Sequence, residues 1–518
     1  MYVTQSLKRA VQISSQGIAT IDGDRQQTWQ QFADRVVKLA GAFQELGLAQ
    51  GDRIAVLSLN SDRYLEVYYA VPWFGGVIVP LNTRLALPEL VYMLNDAGAT
   101  CLLLDDASVA LAPELQRQLG TVRHIICMGE QTPPTLLAYE ALLAQAEAIP
   151  DAERGSDALA GIFYTGGTTG MPKGVMLSHN NLMTNCLSLM AHLYSGGTWR
   201  YLHVSPMFHL ADGAFISMVT MIGGIHCVIS GFQPEKIAHM IQQQAITHVQ
   251  MVPTMLNLFL NNPRTQVLDL SSLQYILYGG SPMPEATISR LRERYPTCRL
   301  AQAYGMTELS PVATMLDDEY HVFTGPLTGK TKSGGRPAFG VEVQIVGIDG
   351  ERLPVGETGM ITVRGPNVML GYWNKPQETT AVLKAGWMHT GDAGYMDQDG
   401  FVFIVDRLKD MIITGGENVY SIEVENVLYR HPAVAMCAVI GIPHEVWGEQ
   451  VHAVIIPREG ETITAAEIIE FCKGKIAGYK QPRSIEIRTE PLPISGAGKI
   501  QKAKLRAPYW QQRERAVN

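Results

Sequence analysis

The sequence predicts an α/β protein with mixed, largely parallel β-sheets and flanking helices, followed by a smaller β subdomain and a last unit of helices and strands. Three observations support this fold class. Strand and helix patterns alternate through the first part of the chain. From Gly334, alternating apolar residues between Gly and Pro turns replace that pattern. From about Asp410, helix and strand patterns mix again over a shorter stretch.

The individual elements follow from local patterns. Thr28 and Gln31 have the spacing of a capping box, and apolar residues from Trp29 recur at helical spacing until Gly47 ends the helix. Trp29 and Phe32 are expected in the core. Further strands are predicted over 54–59, 77–79, 101–104, 225–229, 248–252, 341–346, 359–363, 401–405, 435–440, 451–456 and 485–489. Further helices are predicted over 64–70, 89–96, 178–193, 234–244, 421–431, 465–475 and 500–506.

Length and composition narrow the class of protein. A chain of 518 residues with 46% apolar residues can form two or more cored domains. The net charge of −8 does not suggest a surface for nucleic acid, and no nucleic-acid partner is expected. The seven cysteines lack C-x-x-C spacing, which favours reduced, buried thiols and no structural zinc.

The N-terminus and the lengths of the apolar runs indicate the compartment. The N-terminus lacks the apolar core of a signal peptide, and no apolar run approaches about 18 residues. No transmembrane helix is therefore predicted, and the cytoplasm is the expected compartment. The sequence leaves a weak peripheral membrane contact and a homodimer open.

Residues 164–179 read Y-T-G-G-T-T-G-M-P-K-G-V-M-L-S-H and form the most informative stretch. Glycines let a backbone approach an anion closely and turn N–H groups toward it, and threonine hydroxyls and a lysine add donors and charge. Such a loop suits a polyphosphate. It is not the G-x-x-x-x-G-K-[ST] loop, because Gly170 is followed by Met171 and Pro172. The donor residues are Thr165, Gly166, Gly167, Thr168, Thr169, Gly170 and Lys173.

This stretch closely resembles the phosphate-binding loop of the adenylate-forming enzymes, which include acyl-CoA synthetases, peptide-synthetase adenylation domains and firefly luciferase. Further matches appear in the family's order at 304–308 (Y-G-M-T-E), 391–392, 406–410 (D-R-L-K-D), 415–418 (G-G-E-N) and 498–499. The resemblance covers nearly the whole chain. It implies a large AMP-binding domain over 1–406 and a small mobile domain over 407–518.

The resemblance also implies a reaction in two steps. A carboxylate is a poor electrophile, and joining it to AMP creates a mixed anhydride with a good leaving group. The protein must hold two anions together and stabilise charge at the α-phosphorus, so cations and N–H donors are needed. ATP and CoA would be co-substrates, Mg²⁺ the metal, and a small-molecule carboxylic acid the substrate.

Residue roles around the nucleotide carry over from the matched motifs. Glu308 would hold Mg²⁺ together with phosphate oxygens, Tyr304 would stack on adenine, and Thr307 would approach the α-phosphate. Asp392 and Arg407 would hold the ribose hydroxyls. A looser match places three further residues at the adenine and acyl walls: Gly279, Gly280 and Ser281.

The C-terminal matches imply a moving catalytic group. Lys499 matches the lysine that bridges the carboxylate and the α-phosphate during adenylation. Lys409 matches the hinge position, where rotation would withdraw Lys499 and bring in a second loop for thioester formation. The residues implied for that second step are Gly415, Gly416, Glu417 and, more weakly, Lys480.

The segment 206–215 bears on the acid. His209 matches the family's aromatic gate position, which opens the route for the CoA thiol. Relatives that activate amino acids carry an Asp beside Phe208, so an amino-acid substrate is disfavoured here. Asp212 departs from an otherwise uncharged set that suits a fatty or aryl chain: Leu210, Ala211, Gly213, Ala214 and Phe215.

The sequence thus favours an AMP-forming acid–CoA ligase for a medium- or long-chain fatty acid. Alternatives are an aryl or short branched acid, or an acyl-AMP ligase that loads a carrier protein. A non-catalytic acyl-nucleotide-binding relative is disfavoured because Glu308, Asp392, Arg407 and Lys499 are all present. A luciferase-like oxygenase is also disfavoured.

Overall fold

The computed structural model describes residues 1–165, 171–407, 409–496 and 498–511. Its helices are α1 (Gln5–Ser14), α2 (Trp29–Glu45), α3 (Asp62–Phe74), α4 (Leu87–Ala97), α5 (Ala112–Gln118), α6 (Tyr139–Gln145), α7 (His179–Leu193), α8 (Leu210–Met221), α9 (Pro234–Gln244), α10 (Pro253–Asn261), α11 (Glu285–Arg294), α12 (Pro376–Val382), α13 (Ser421–Leu428), α14 (Ala465–Cys472) and α15 (Lys502–Trp510).

Its strands are β1 (Ile18–Asp22), β2 (Arg25–Thr28), β3 (Arg53–Leu57), β4 (Val77–Pro80), β5 (Ala99–Leu104), β6 (His124–Cys127), β7 (Leu137–Ala138), β8 (Leu159–Thr165), β9 (Lys173–Ser178), β10 (Arg200–His203), β11 (Ile225–Val228), β12 (His248–Met251), β13 (Tyr275–Gly279), β14 (Arg299–Gly305), β15 (Val312–Leu316), β16 (Arg336–Pro337), β17 (Glu342–Val346), β18 (Gly359–Arg364), β19 (Gly371–Tyr372), β20 (Leu383–Lys384), β21 (Trp387–Met396), β22 (Val402–Arg407), β23 (Ile412–Thr414), β24 (Glu417–Val419), β25 (Val434–His444), β26 (Gly448–Pro457) and β27 (Ser484–Ile487).

Two mostly parallel sheets form the bulk of the N-terminal part. Their strand orders are β16-β15-β14-β13-β12-β10-β11-β1-β2 and β19-β9-β8-β4-β3-β5-β6-β7. Interior strands such as β12 and β13 pair in parallel, whereas the outer pairs β1–β2 and β14–β15 are antiparallel. The predicted α/β class is confirmed.

A helical layer fills the space between these sheets. Along β3, Ile54 and Val56 belong to one buried cluster, and Ala55 and Leu57 belong to another, so both faces of the strand are covered. The first cluster also contains Tyr201 of the other sheet and apolar residues of α2, α3, α7 and α8. Burial on both faces explains why these strands are apolar without alternation.

The rest of the chain forms two smaller sheets. Strands β17, β18, β21, β20 and β22 form an antiparallel sheet, which is the predicted β subdomain. Strands β24, β23, β26 and β25, with β27 parallel to β26, form the last sheet. Buried apolar residues between Ile412 and Leu505 make clusters of their own.

Some predicted bounds are wrong, mainly near the C-terminus. The helix predicted from 500 begins at Lys502, because Ile500 forms a β-bridge with Ile494. The helix predicted to 475 ends at Cys472, just before Gly474 adopts a left-handed φ of +72°. The helix predicted over 421–431 ends at Leu428, before the restricted residue that precedes Pro432.

Helix α8 was assigned to the acyl pocket but not predicted as a helix. Most of its residues are buried on every side, so the sequence shows no contrast between a polar and an apolar face. Within the described part of the chain, no helix is long and apolar enough to cross a bilayer.

Candidate active site

One cavity collects six of the predicted site residues. Its walls come from the loop after β13, from β14, β21 and β22, and from α13 of the C-terminal unit. The lining residues include Gly280, Ser281, Tyr304, Asp392, Arg407, Asn426, Tyr429, Arg430 and Lys499. Because strand β13 ends at Gly279 and β14 at Gly305, the cavity lies at the carboxyl ends of parallel strands.

Tyr304, Asp392 and Arg407 form a connected polar group. The Tyr304 hydroxyl donates to Oδ2 of Asp392 at 2.8 Å, and Nε of Arg407 lies 3.5 Å from Oδ1. Asp392 and Arg407 are direct partners across β21 and β22, which explains how residues 15 positions apart in the chain come together. Burial raises the pKa of Tyr304 well above 10, so its hydroxyl stays protonated as a donor.

Lys499 reaches the cavity from a tight C-terminal loop. The Ser495 N–H donates to the Lys499 carbonyl at 2.7 Å, and the Lys499 N–H donates to the Ser495 hydroxyl at 3.0 Å. The side chain passes Gly280, where an added Cβ would lie 3.3 Å from Cε of Lys499. Burial, and next the Arg407 guanidinium, lower the pKa of Lys499 to about 8.

The wall beside Lys499 is made of closely approaching backbone. A Cβ on Gly279 would lie 2.3 Å from the carbonyl oxygen of Ala303 on β14, and Gly280 has φ +79°. Neither position accommodates a larger residue without displacement. Ser281 follows on the cavity rim. The sequence match for these three residues was loose, but the two glycines have clear steric reasons.

Glu308 is a buried carboxylate in the 3₁₀ turn Thr307–Leu309. Its Oε1 accepts a hydrogen bond from the Tyr372 hydroxyl at 2.8 Å. Burial raises the pKa of Glu308, and the bond from Tyr372 opposes that rise. Nζ of Lys173 lies 4.9 Å from the centre of the same tyrosine ring, so an acid and a base from distant motifs flank Tyr372. Thr307 is half-buried at the start of the turn.

The predicted phosphate loop is described only at its ends. Thr165 closes β8 and Lys173 opens β9, and the two residues are partners in antiparallel register. Five predicted donors lie outside the described residues: Gly166, Gly167, Thr168, Thr169 and Gly170.

His209 is the N-cap residue of helix α8. Its Nδ1 accepts from the Ala211 N–H at 3.1 Å. Burial, and next the charge of Lys499, lower the pKa of His209 to about 3, so the imidazole is neutral at pH 7. Phe215 is buried and stacks on Tyr201, with the two ring centres 5.0 Å apart.

Asp212 anchors helix α8 through a fully buried polar chain. Its Oδ2 lies 2.6 Å from Nδ1 of His203, and its Oδ1 accepts from the Tyr201 hydroxyl at 3.1 Å. Nε2 of His203 lies 2.9 Å from Nδ1 of His226, whose Nε2 contacts the Thr220 hydroxyl at 3.0 Å. Asp212, which departs from the otherwise uncharged residues around it, is therefore a hydrogen-bond acceptor inside the core.

The residues implied for the second step lie elsewhere. Gly415 and Gly416 form the exposed turn between β23 and β24, Glu417 is the first residue of β24, and none of the three lines the cavity. Both carboxylate oxygens of Glu423 accept from Nζ of Lys480, at 2.9 and 2.8 Å. The structure thus brings Lys499, and not this second set, to the cavity.

The hinge motif is anchored on both sides of Lys409. Oδ2 of Asp406 accepts from the Ser421 hydroxyl at 2.7 Å, at the start of α13. Oδ1 of Asp410 accepts from Arg506 of α15 at 3.1 Å. Burial, and next Arg407, lower the pKa of Lys409.

Sequence reasoning missed a charged group in and beside the cavity. Oε1 of Glu285 accepts from the Thr331 hydroxyl at 2.8 Å, and its Oε2 lies 3.9 Å from both Lys332 and Arg430. Arg430 follows α13, so this group spans the N-terminal part and the C-terminal unit. Single charges at scattered positions carry no local pattern that could have revealed it.

The predicted metal site has few protein donors. In the described ranges, no group of three or more His, Cys, Asp or Glu side chains could hold an ion. Glu308 offers one buried carboxylate. It fits a magnesium ion that takes its other ligands from nucleotide phosphates and water, as Mg²⁺ commonly does.

Comparison with known sequences defines the class. Residues 7–373 match the AMP-binding enzyme family, and residues 423–499 match the AMP-binding enzyme C-terminal domain. The chain therefore belongs to the AMP-binding enzyme family, and it is an AMP-forming acid–CoA ligase with a small-molecule carboxylic acid, ATP and CoA as substrates.

Individual relatives span the chain. A feruloyl-CoA synthase from Amycolatopsis sp is 38% identical over 97% of this chain and 98% of that protein. A medium/long-chain fatty acid–CoA ligase, FadD8 of Mycobacterium tuberculosis, is 35% identical over 96% and 88%. The crystal structure of the anthranilate CoA ligase AuaEII with anthranoyl-AMP superposes with a TM-score of 0.91 at 26% identity, covering 98% of this chain and 97% of that one.

Proposed function

We propose that the ligase works in two half-reactions. A carboxylate first attacks the α-phosphorus of ATP, releasing pyrophosphate and leaving an acyl-adenylate. The CoA thiol then attacks the acyl carbon, releasing AMP. The observation that carries the proposal is the side chain of Lys499, which enters from the C-terminal unit into the cavity that holds Tyr304 and Asp392.

The described arrangement suits the first half-reaction. The Lys499 ammonium would bridge the acid and the α-phosphate, where negative charge develops. Asp392 would accept from the ribose hydroxyls with Arg407 beside it, and the Tyr304 ring would stack on adenine. Thr307 and Gly280 would border the reacting phosphate. Exclusion of water by the bound substrates would strengthen each of these contacts.

Glu308 would hold Mg²⁺, whose charge would offset the phosphates of ATP. Lys173 and the glycine–threonine loop would bind the β- and γ-phosphates. The Tyr372 hydroxyl keeps the Glu308 carboxylate oriented by its 2.8 Å hydrogen bond.

The second half-reaction needs a different arrangement. We propose that the domain of residues 407–518 rotates about Lys409, withdrawing Lys499 and bringing Gly415, Gly416 and Glu417 to the cavity. Lys480 would leave Glu423 to contact CoA. His209, neutral and at the edge of the acyl region, would gate the thiol's path.

For the acid, we propose an aryl or arylalkenoic carboxylate. The 38% identity to a feruloyl-CoA synthase supports it. The backbone of Gly279 and Gly280, which lacks side chains and matches the family's adenine and acyl walls, would suit a planar ring. A medium- or long-chain fatty acid is the second candidate, favoured by the relative FadD8 and by the uncharged residues Ala211 and Ala214.

The experiment is ATP–pyrophosphate exchange by the full chain across hydroxycinnamic, benzoic, medium-chain, long-chain and short branched acids. We expect the greatest exchange with hydroxycinnamic or benzoic acids. A clear preference for fatty acids would reject the aryl assignment. The best acid is then offered with CoA or with a phosphopantetheinyl carrier protein, and transfer only to the carrier would reject CoA as the acceptor.

A further inference from the structure

Helix α10 donates hydrogen bonds to the C-terminal unit through two side chains, and Oδ1 of Asn261 on the same helix accepts from Arg458 at 3.4 Å. Oγ1 of Thr254 donates to the carbonyl of Gly498 at 2.9 Å, directly beside Lys499. Nδ2 of Asn257 donates to the carbonyl of Ala435, in β25, at 3.1 Å. Residues three apart lie on one face of a helix, so α10 presents both donors along one edge.

The loop that carries Lys499 fits closely against this surface. A Cβ on Gly498 would lie 2.7 Å from a methyl group of Val252, and a Cβ on Gly496 would lie 2.4 Å from the amide of Asn82. The loop therefore lies with its backbone directly on the N-terminal part. A side chain at either glycine would hold the loop away from it.

Both acceptors are backbone carbonyls of the C-terminal unit, and both donors belong to the N-terminal part. If the C-terminal domain rotates between half-reactions, these bonds exist only while Lys499 is in the cavity. They contribute nothing to the withdrawn arrangement. Their free energy would therefore shift the equilibrium between the two arrangements, and it would leave the chemical step in each arrangement unchanged.

We infer that Thr254 and Asn257 are positioning residues that hold Lys499 in the adenylating arrangement. This inference rests on the proposed two half-reactions. Neither residue lines the cavity, so neither touches the reacting atoms. A net hydrogen bond is worth enough to shift such an equilibrium roughly fivefold.

The test compares Thr254→Val, which removes the donor at nearly constant shape, with Thr254→Ser, which keeps it. Each is assayed for ATP–pyrophosphate exchange and, separately, for thioester formation from supplied acyl-adenylate and CoA. We expect Thr254→Val to lower exchange roughly five- to tenfold while thioester formation is unchanged or faster. Thr254→Ser should match the unmodified enzyme in both.

Asn257→Ala tests the second contact independently, and Leu258→Ala, at an exposed residue of the same helix, controls for general effects on α10. Asn257→Ala should also lower exchange selectively, and Leu258→Ala should not. Equal loss of both half-reactions, no loss of exchange, or a serine variant as impaired as valine would overturn the inference. Absence of either half-reaction in the unmodified enzyme would instead reject the proposed function.

Discussion

The surroundings of Lys499 set the pH range over which its side chain is charged. An exposed lysine keeps its ammonium charge to about pH 10. Burial near Arg407 lowers the pKa of Lys499 to about 8, so its charge is complete only below that pH and is lost as the pH rises through 8. The proposed bridging role requires the charged form.

We therefore expect kcat/KM for ATP in the exchange reaction to fall above about pH 8, following the free enzyme. Lys499→Ala should lower exchange roughly a hundredfold or more and leave a residual rate without that alkaline limb. The measurement is the pH profile of both proteins with one acid. An unchanged limb in Lys499→Ala would assign the titration to another group.

Glu308 is the proposed protein ligand of Mg²⁺. Glu308→Gln keeps an acceptor for the Tyr372 hydroxyl but loses the charge that a hard cation prefers. We expect the Mg²⁺ concentration for half-maximal exchange to rise at least tenfold. Tyr372→Phe, which leaves the carboxylate in place, serves as a control for the lost hydrogen bond. Unchanged Mg²⁺ dependence in Glu308→Gln would exclude the carboxylate as a metal ligand.

At the scale of an element, helix α8 depends on a polar contact inside an apolar core. Asp212→Ala would leave the His203 ring and the Tyr201 hydroxyl buried without their acceptor. Unpaired buried donors cost about 1–3 kcal/mol each. We expect a loss of about 3 kcal/mol in unfolding free energy, measured by urea titration.

Asp212→Asn, which retains an acceptor oxygen, should lose less, and Asp24→Ala at an exposed position should change little. Because His209 begins this helix, Asp212→Ala should also raise KM for the acid. Wild-type stability in Asp212→Ala would show that the chain of contacts through His203 does not anchor α8.

For the whole molecule, the proposed function depends on rotation of the C-terminal domain about Lys409. Proline at position 409 would fix φ near −65° and restrict the residue before it. Since the structure has Lys499 in the cavity, we expect Lys409→Pro to retain pyrophosphate exchange while CoA-dependent turnover falls at least a hundredfold. Both half-reactions are measured separately on folded protein.

Lys409→Gly and Lys409→Ala leave φ free and should be much milder. Parallel loss of both half-reactions in Lys409→Pro, or no loss of either, would show that the pivot is elsewhere.

The sequence predicted the fold class, but fewer than half of the described helices and strands, from periodicity and turn residues that act locally. Its motifs also placed Tyr304, Asp392, Arg407 and Lys499, which the fold brings to one cavity. Helix α8 was missed because burial on all sides erases the amphipathic pattern. The predicted bounds near Leu428 and Lys502 are wrong because a proline restriction ends the first helix and the local bridge between Ile494 and Ile500 delays the second.

By itself, then, the sequence determined the class of enzyme, since short motifs in fixed order reflect the chemistry of an adenylate. Only the tertiary structure decided which motif residues meet in the described arrangement. It showed that Asp212 serves the core and that Thr254 and Asn257 contact the C-terminal unit. These contacts join residues far apart in the chain, and side chains at such separations leave no periodic signal along it.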